Sequence, residues 1–391
     1  MADKLLIMGR REASGSLRPA KTGTAGRGVS VHPVLLTIPG VDWPLHTYGV
    51  LIVCGFVAAM YVAWREAKRQ NRYADDVLDF AFWALLGGMI GARIVFIGVN
   101  WKQYFVTAPW ETLGPVSASL VGMAGGVVVL LIGVMGLGTE GYRAKAFVGA
   151  GALLMLVGKF LVGDTQLGPI DVPSVVVVWK GGLVFYGAAI GGFVSFLIFA
   201  RSRNIRGADM LKLADMCIAG LPLAAGFGRL GCVAAGCCWG AAAYTLDDGG
   251  HFHSTLPFAL EFPKGALAYQ SLLTTADSDV VAAMKAAGHT APLVPIQLID
   301  SLGEIGLFFA LIFVRSRKWF HGQVLLTYGL LYPLWRTVLE LFRGDGERGY
   351  LIPGLLSTSQ FISLCLAFTS LVAIIVIRRR ALARPQLLIP T

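Results

Sequence analysis

Charge is what this sequence has least of. Asp, Glu, Lys and Arg make up only 14% of its 391 residues, against 55% hydrophobic, which is too little charge to clothe a soluble domain of this length. It also lacks a long basic patch. The net charge is +10, but the lysines and arginines stand in short runs between apolar stretches, which excludes a nucleic-acid surface and matches the Lys/Arg bias of cytoplasmic loops. The six cysteines include no pair of CxxC units, so a structural zinc of the usual kind is not expected. Cys54, Cys217 and Cys365 lie within apolar runs and read as small hydrophobes. Met1 to Val34 carries Lys4, Arg10, Arg11, Arg18, Lys21 and Arg27 among Ser, Gly and Thr. It has no continuous apolar core of signal-peptide length, and residues 1–34 are expected to be a disordered basic tail.

What the chain has in quantity is glycine, 49 residues, and a mean hydropathy of +0.67. Together these predict an all-α polytopic membrane protein of about nine spans. The first two spans run from about Tyr48 to Trp64 and from Val77 to Val99, the second with Arg93 inside it. Two glycine-rich spans, about Val116 to Leu137 and Ala146 to Val162, look like a hairpin inserted between residues 104 and 178. The next two cover about Leu183 to Ala200 and Met210 to Phe227. Residues 241–294 then form the longest polar interval, expected to be a small head on the outer, periplasmic face. Three further spans, about Ile296 to Val314, Val324 to Leu341 and Ser359 to Ile377, complete a membrane domain over residues 35–391. Arg65, Lys68, Arg69 and Arg72, then Arg201, Arg203 and Arg206, then Arg315, Arg317, Lys318 and finally Arg378 to Arg380 all fall on one side. The positive-inside rule makes that side cytoplasmic, together with the C-terminus. The basic tail is the one segment that would sit on the wrong side.

The stretch Leu221 to Gly240 stands out. An apolar helix is expected to end on Arg229 and continue into a loop that holds Cys232, Cys237, Cys238 and Trp239. An arginine at membrane depth costs roughly 2.5–3.5 kcal/mol on insertion scales and needs a partner, water or a task. Gly226, Gly228, Gly231 and Gly236 crowd around it, as suits close approach of a backbone or ligand. Arg93, Arg336 and Arg343 also sit in the outer halves or at the ends of spans, and guanidinium is a natural bidentate partner for phosphate. Tyr332, Arg336, Glu340 and Arg343 share one helical face, with Glu340 placed to hold arginines. A plain internal salt bridge is the alternative use of that face. His251 and His253, two apart in DDGGHFH, could be metal ligands from a strand, but a solvated loop explains them as well and no metal is assigned.

The ordered set HTYG (His46 to Gly49), GAR (Gly91 to Arg93), WKGGLVFYGAAIG (Trp179 to Gly191), GFGRLG to WG (Gly226 to Gly240), LPFALEFP (Leu256 to Pro263), PIQLID (Pro295 to Asp300), YPLWRTVLELFR (Tyr332 to Arg343) and LSTSQFIS (Leu356 to Ser363) resembles the prolipoprotein diacylglyceryl transferase family. The resemblance implies an enzyme of the bacterial inner (cytoplasmic) membrane that needs no cofactor. It would move a diacylglyceryl group from phosphatidylglycerol to the lipobox cysteine thiol of a preprolipoprotein, releasing glycerol phosphate. Its partners would be phosphatidylglycerol, preprolipoprotein signal peptides and membrane lipids. By the same resemblance Arg229 and Arg336 act on the phosphate, with Tyr48, Arg93, Gly187, Gly240, Tyr332, Glu340 and Arg343 around the substrate. Tyr186 stands where the family has a histidine, the candidate acceptor of the thiol proton, and a free tyrosine titrates near 10. Cys232 and Cys237 replace a family asparagine and glutamate. With Cys238 they are expected to be structural thiols or, in an oxidising compartment, a disulfide of Cys232 with Cys237 or Cys238. Val294 replaces another histidine. Two other readings stay open: a paralogous lipid-head-group transferase with a different acceptor, and a non-catalytic lipid-binding protein.

Overall fold

A computed structural model describes residues 34–38, 43–70, 74–102, 110–113, 116–117, 166–167, 170–173, 185–344, 350–352 and 356–383. All of the expected tail at 1–34 except Val34, and nearly all of the two glycine-rich spans, lie outside the described residues. The chain divides into two compact units, residues 1–81 with 200–391, and residues 82–199.

Among the described residues the chain is mostly helical. Six helical stretches are long and apolar enough to cross a membrane: Thr47–Arg69, Asp76–Val99, Phe185–Ser202, Ala208–Ala235, Ile296–Ser316 and Thr358–Arg380. That supports an all-α polytopic membrane protein. The helices are named α1 (Thr47–Arg69), α2 (Ala74–Val99), α3 (Phe185–Ser202), α4 (Ala208–Ile218), α5 (Leu221–Ala235), α6 (Leu267–Thr275), α7 (Ser278–Ala287), α8 (Ile296–Ser316), α9 (Gln323–Glu340) and α10 (Thr358–Ala383). Short antiparallel strand pairs punctuate them, including Val34–Ile38 with Trp43–His46 just before α1.

In the first unit α5 packs against both α1 and α8, α8 also meets α9, and α9 meets α10. The approach is close because glycines line it. A Cβ on Gly55 would lie 2.7 Å from the Phe227 Cβ, and one on Gly220 would lie 2.6 Å from the Ala59 carbonyl oxygen. Without a solvent-driven hydrophobic force between helices in lipid, such backbone proximity supplies van der Waals packing. The Ser301 hydroxyl donates to the Gly226 carbonyl at 3.0 Å, tying α8 to α5. Many aliphatic and aromatic side chains remain exposed on α1 and α10, as expected for surfaces that face acyl chains.

Acids hold the helix ends where the basic runs cluster. Asp215 on α4, 1% exposed, accepts from the backbone N–H of Gly322 at 2.9 Å and of Leu325 at 3.1 Å, and from Lys318 at 3.0 Å. A carboxylate there satisfies donors that α9 cannot satisfy itself and faces the positive end of its dipole. Glu66 on α1 pairs with Arg315 at 3.5 Å and Arg69 at 3.7 Å. Arg203 pairs with Asp76 and Asp79.

In the second unit α2 meets α3 through interlocked glycines. A Cβ on Gly187 would lie 2.3 Å from the Gly91 carbonyl oxygen, and one on Gly191 would lie 2.0 Å from that of Gly87. The GAR and FYG motifs therefore have a packing reason of their own. Within the interval 104–178, expected to be an insertion, Trp110–Leu113 pairs with Ile170–Pro173 and Val116–Ser117 with Gln166–Leu167.

Residues 241–294 form a hairpin, Tyr244–Leu246 with Phe252–Ser254, followed by α6 and α7. Its core of Leu260, Phe262, Ala268 and Leu293 packs on Val233, Trp239 and Leu298, so it is seated on the end of α5. We expect Gly55→Leu to cost about 1–3 kcal/mol through overpacking and to lower the melting temperature of the detergent-solubilised chain. Gly49→Leu, where nothing lies within 4 Å of the added Cβ, should leave it nearly unchanged.

Candidate active site

Helix α5 is the spine of the site. Pro222 stands in its first turn and Gly236, at φ 63°, closes it in the left-handed conformation, as a helix C-terminus requires. The sequence expectation that the helix ends on Arg229 is corrected here, because α5 runs on to Ala235. Gly231 is tolerated inside it because the Tyr48 ring occupies the space, 2.9 Å from where a Cβ would be. Arg229 and Cys232 therefore lie on one rigid helix, within a turn of each other.

Arg229 has its partner on α8. Its Nε lies 2.6 Å from Asp300 Oδ2, with the Asp300 side chain only 5% exposed. The other oxygen, Oδ1, accepts from Trp335 Nε1 of α9 at 3.3 Å. One carboxylate thus ties three helices and orients the guanidinium. One turn along α8, Glu304 is 1% exposed, and its Oε2 has no hydrogen-bond partner among the described residues. Both acids were legible in IDSLGE as intramembrane charges, yet neither entered the expected site. Their i, i+4 spacing, which puts both on one face of α8, was the signal available.

On α9 the expected face is present. Arg336 Nη2 lies 2.9 Å from Glu340 Oε2. Tyr332 stacks on Tyr328, with ring centroids 5.2 Å apart, and lies within electrostatic range of both Arg229 and Arg336. Arg343, just beyond α9, forms a backbone bridge with Gly240, and its guanidinium acts on the Cys238 thiol. Gly240 fits where no side chain could: a Cβ would come 2.5 Å from the Val294 carbonyl oxygen.

The loop after α5 gathers its sulfurs. The thiol S atoms of Cys232, Cys237 and Cys238 all lie within 4.8 Å of one another, and the three are free thiols. The Cys237 N–H donates to the Cys232 carbonyl at 3.1 Å, while Gln297 Nε2 donates to the Cys237 carbonyl at 2.8 Å. Cys238 holds φ at 58°, a costly conformation for a residue with a Cβ. Hydrogen bonds from Cys232 and Cys237, then Arg343 and Arg229, hold the Cys238 thiol below the ordinary thiol range.

The second unit holds the remaining expected residues. Arg93 on α2 is buried, with its guanidinium 5.3 Å from the Phe96 ring centroid. Tyr186 opens α3 half exposed, its ring 6.2 Å from that of Phe185, and Gly187 abuts Gly91. In the first unit, His251 and His253 both approach one carboxylate, Asp247, at 3.4 and 3.2 Å. The His251 N–H and the His253 ring hold that carboxyl below its usual range. The hairpin region also lines a cavity of about 120 Å³ beside Trp239 and Leu293, well below the roughly 300–1,000 Å³ of ligand pockets.

We expect Asp300→Asn to destabilise the detergent-solubilised chain by about 3 kcal/mol, because it removes the buried carboxylate that neutralises the partly buried Arg229 guanidinium. Glu304→Gln should be neutral or stabilising, since it removes a buried carboxylate that has no ion-pair partner among the described residues. Thermal unfolding of the two variants side by side checks the contrast.

An arginine pair oriented by buried acids beside a cysteine loop is chemistry that known proteins can be compared with. The family profile described as prolipoprotein diacylglyceryl transferase matches residues 33–163 and 167–376. A phosphatidylglycerol–prolipoprotein diacylglyceryl transferase of Clostridium tetani is 25% identical over 344 residues, covering 88% of this chain and 96% of that protein. One of Clostridium perfringens is 33% identical over 183 residues, 47% of this chain and 57% of its own length. One of Mycobacterium leprae is 24% identical over 82% of this chain and 74% of its own. The match runs through α1, α5, α8, α9 and most of α10, and so through the three helices that carry Arg229, Asp300 and the Arg336–Glu340 pair, and on that extent the chain belongs to the prolipoprotein diacylglyceryl transferase family.

Proposed function

We propose that this chain transfers the diacylglyceryl group of phosphatidylglycerol to the lipobox cysteine thiol of a preprolipoprotein signal peptide, releasing glycerol phosphate. The observation that carries the reading is the Arg229 guanidinium, fixed by the buried Asp300 carboxylate and Trp335, with Tyr332 and the Arg336–Glu340 pair beside it. As the thiol sulfur attacks the glyceryl carbon, the C–O bond to phosphate breaks and negative charge grows on the departing phosphate. Guanidinium groups already oriented in a water-poor site stabilise that charge without reorganising. Arg229 and Arg336 are the residues assigned to the phosphate, and Tyr48, Tyr332, Glu340, Arg343 and Gly240 surround the lipid headgroup. Tyr186, Gly187 and Arg93 keep the roles that the family resemblance implies for them.

The membrane arrangement belongs to the same proposal: about nine spans in the bacterial inner membrane, the hairpin inserted at 104–178, residues 241–294 on the outer face and the C-terminus in the cytoplasm. Its support is that Arg69, Arg203, Arg315 and Lys318 gather at one set of helix ends as the positive-inside rule requires. Tyr186 in place of histidine, and cysteines in place of asparagine and glutamate, favour a second reading in which the acceptor differs.

The test is restoration of lipoprotein maturation, read as a mobility shift, in a bacterium depleted of its own transferase. Good membrane expression without restoration would favour the different acceptor. Arg336→Lys keeps the charge but loses the planar fork. We expect it to insert, fold and bind anionic phospholipid, and to lose on the order of a hundredfold in turnover. Glu340→Gln should act mainly on stability. Near-wild-type turnover in Arg336→Lys would make that arginine architectural.

A further inference from the structure

In the function proposed above, removal of the acceptor thiol's proton falls to Tyr186, which stands in place of a family histidine, and a phenol is a weak base at neutral pH. That function also leaves one cluster without a task, the three cysteines after Arg229. Their arrangement is built. Cys232 is fixed on the last turns of α5. Gly236 is held in the left-handed region, where a Cβ would strike that of Ala266 at 2.6 Å, and its carbonyl accepts from Ala268 N–H at 2.7 Å. Cys237 is held at its carbonyl by Gln297. Cys238 keeps its φ of 58°, one of only two non-glycine positive values among the described residues, and the other belongs to asparagine, which tolerates it. Such strain persists only where the surroundings over-determine it. The result is three sulfurs within 4.8 Å of one another, and thiolates bound to one zinc at about 2.3 Å would need to close to about 4 Å.

We propose that Cys232, Cys237 and Cys238 bind a zinc ion through three thiolates, and that its open fourth position takes the acceptor cysteine as a thiolate. Thiolate sulfur selects soft or borderline ions, and three protein ligands with one open place is the pattern of a catalytic rather than a structural zinc. Among the described residues no histidine, carboxylate or fourth cysteine joins the group. A zinc with three thiolates carries one negative charge. Among the described residues, Arg229 and Arg343 are cations within electrostatic range of the sulfurs, and the Tyr48 phenol is near all three. The step balances. Coordination releases the acceptor's thiol proton to water, and its zinc-bound sulfur forms the C–S bond to the glyceryl carbon. The C–O bond to phosphate breaks, its electron pair leaving with glycerol phosphate beside Arg229. The neutral thioether, a weaker ligand, then departs and zinc keeps its three thiolates. No oxidant or reductant is consumed.

The inference rests on the transferase reading, and the test separates the two. The full chain is purified in detergent with a phosphine reductant and no chelator, and its zinc is measured by mass spectrometry. About one zinc per chain is expected in the wild type and in the Cys54→Ser, Cys217→Ser, Cys365→Ser triple variant, falling at least tenfold in Cys238→Ser. Should Cys238→Ser fail to fold, cobalt substitution of the wild type gives the answer: thiolate-to-cobalt charge transfer, and visible bands that shift when a lipobox peptide thiol is added but not its serine analogue. A wild type without zinc overturns the proposal, as does a disulfide among the three cysteines found by mapping under non-reducing conditions. So does cobalt that ignores the thiol peptide. Full transfer by zinc-free protein overturns the metal and leaves the transferase standing. Bound zinc with a thiol-sensitive cobalt spectrum, but no transfer from phosphatidylglycerol, supports the site and overturns the lipid donor instead.

Discussion

A guanidinium in a membrane bundle needs an anion, and Arg229 finds it in Asp300. Removing both charges from water costs several kcal/mol per ion, which a close pair repays only when the remaining lone pairs are also satisfied. Here the second carboxylate oxygen takes the indole N–H of Trp335, and α5, α8 and α9 are drawn to one point. That contact decides which faces of the three helices meet, and with them the place of Tyr332 and of Arg336.

The glycines make the pairing geometrically possible. Gly226 lies against α8, where a Cβ would sit 3.3 Å from the Ser301 carbonyl, and Gly303 lies under the Trp335 ring. A side chain at Gly303 would displace the indole that holds Asp300. Packing at backbone distance and polar chemistry at the centre are therefore one arrangement, and the loop beyond α5 inherits its position from it. The region 241–294 clamps that loop from the other side through Phe262, Ala266 and Leu293, so this polar segment has a role in holding the site.

Much of this was written in the chain. Long apolar runs, basic runs at their ends and intramembrane arginines determined a polytopic membrane protein, because burying backbone in lipid leaves few other folds. The spacing of Tyr332, Arg336 and Glu340 determined the ion pair on α9, since helical periodicity is local. The motif order determined the family. Tertiary structure alone decided the partner of Arg229, because Asp300 is far along the chain and nothing local distinguishes it from Glu304. It also decided that α5 continues past Arg229, with Gly226 packed on α8 and Gly231 on Tyr48 inside the helix. The convergence of Cys232, Cys237 and Cys238 was decided there too. It depends on a left-handed turn at Gly236 and a strained one at Cys238, and such backbone angles are imposed by the packing around them.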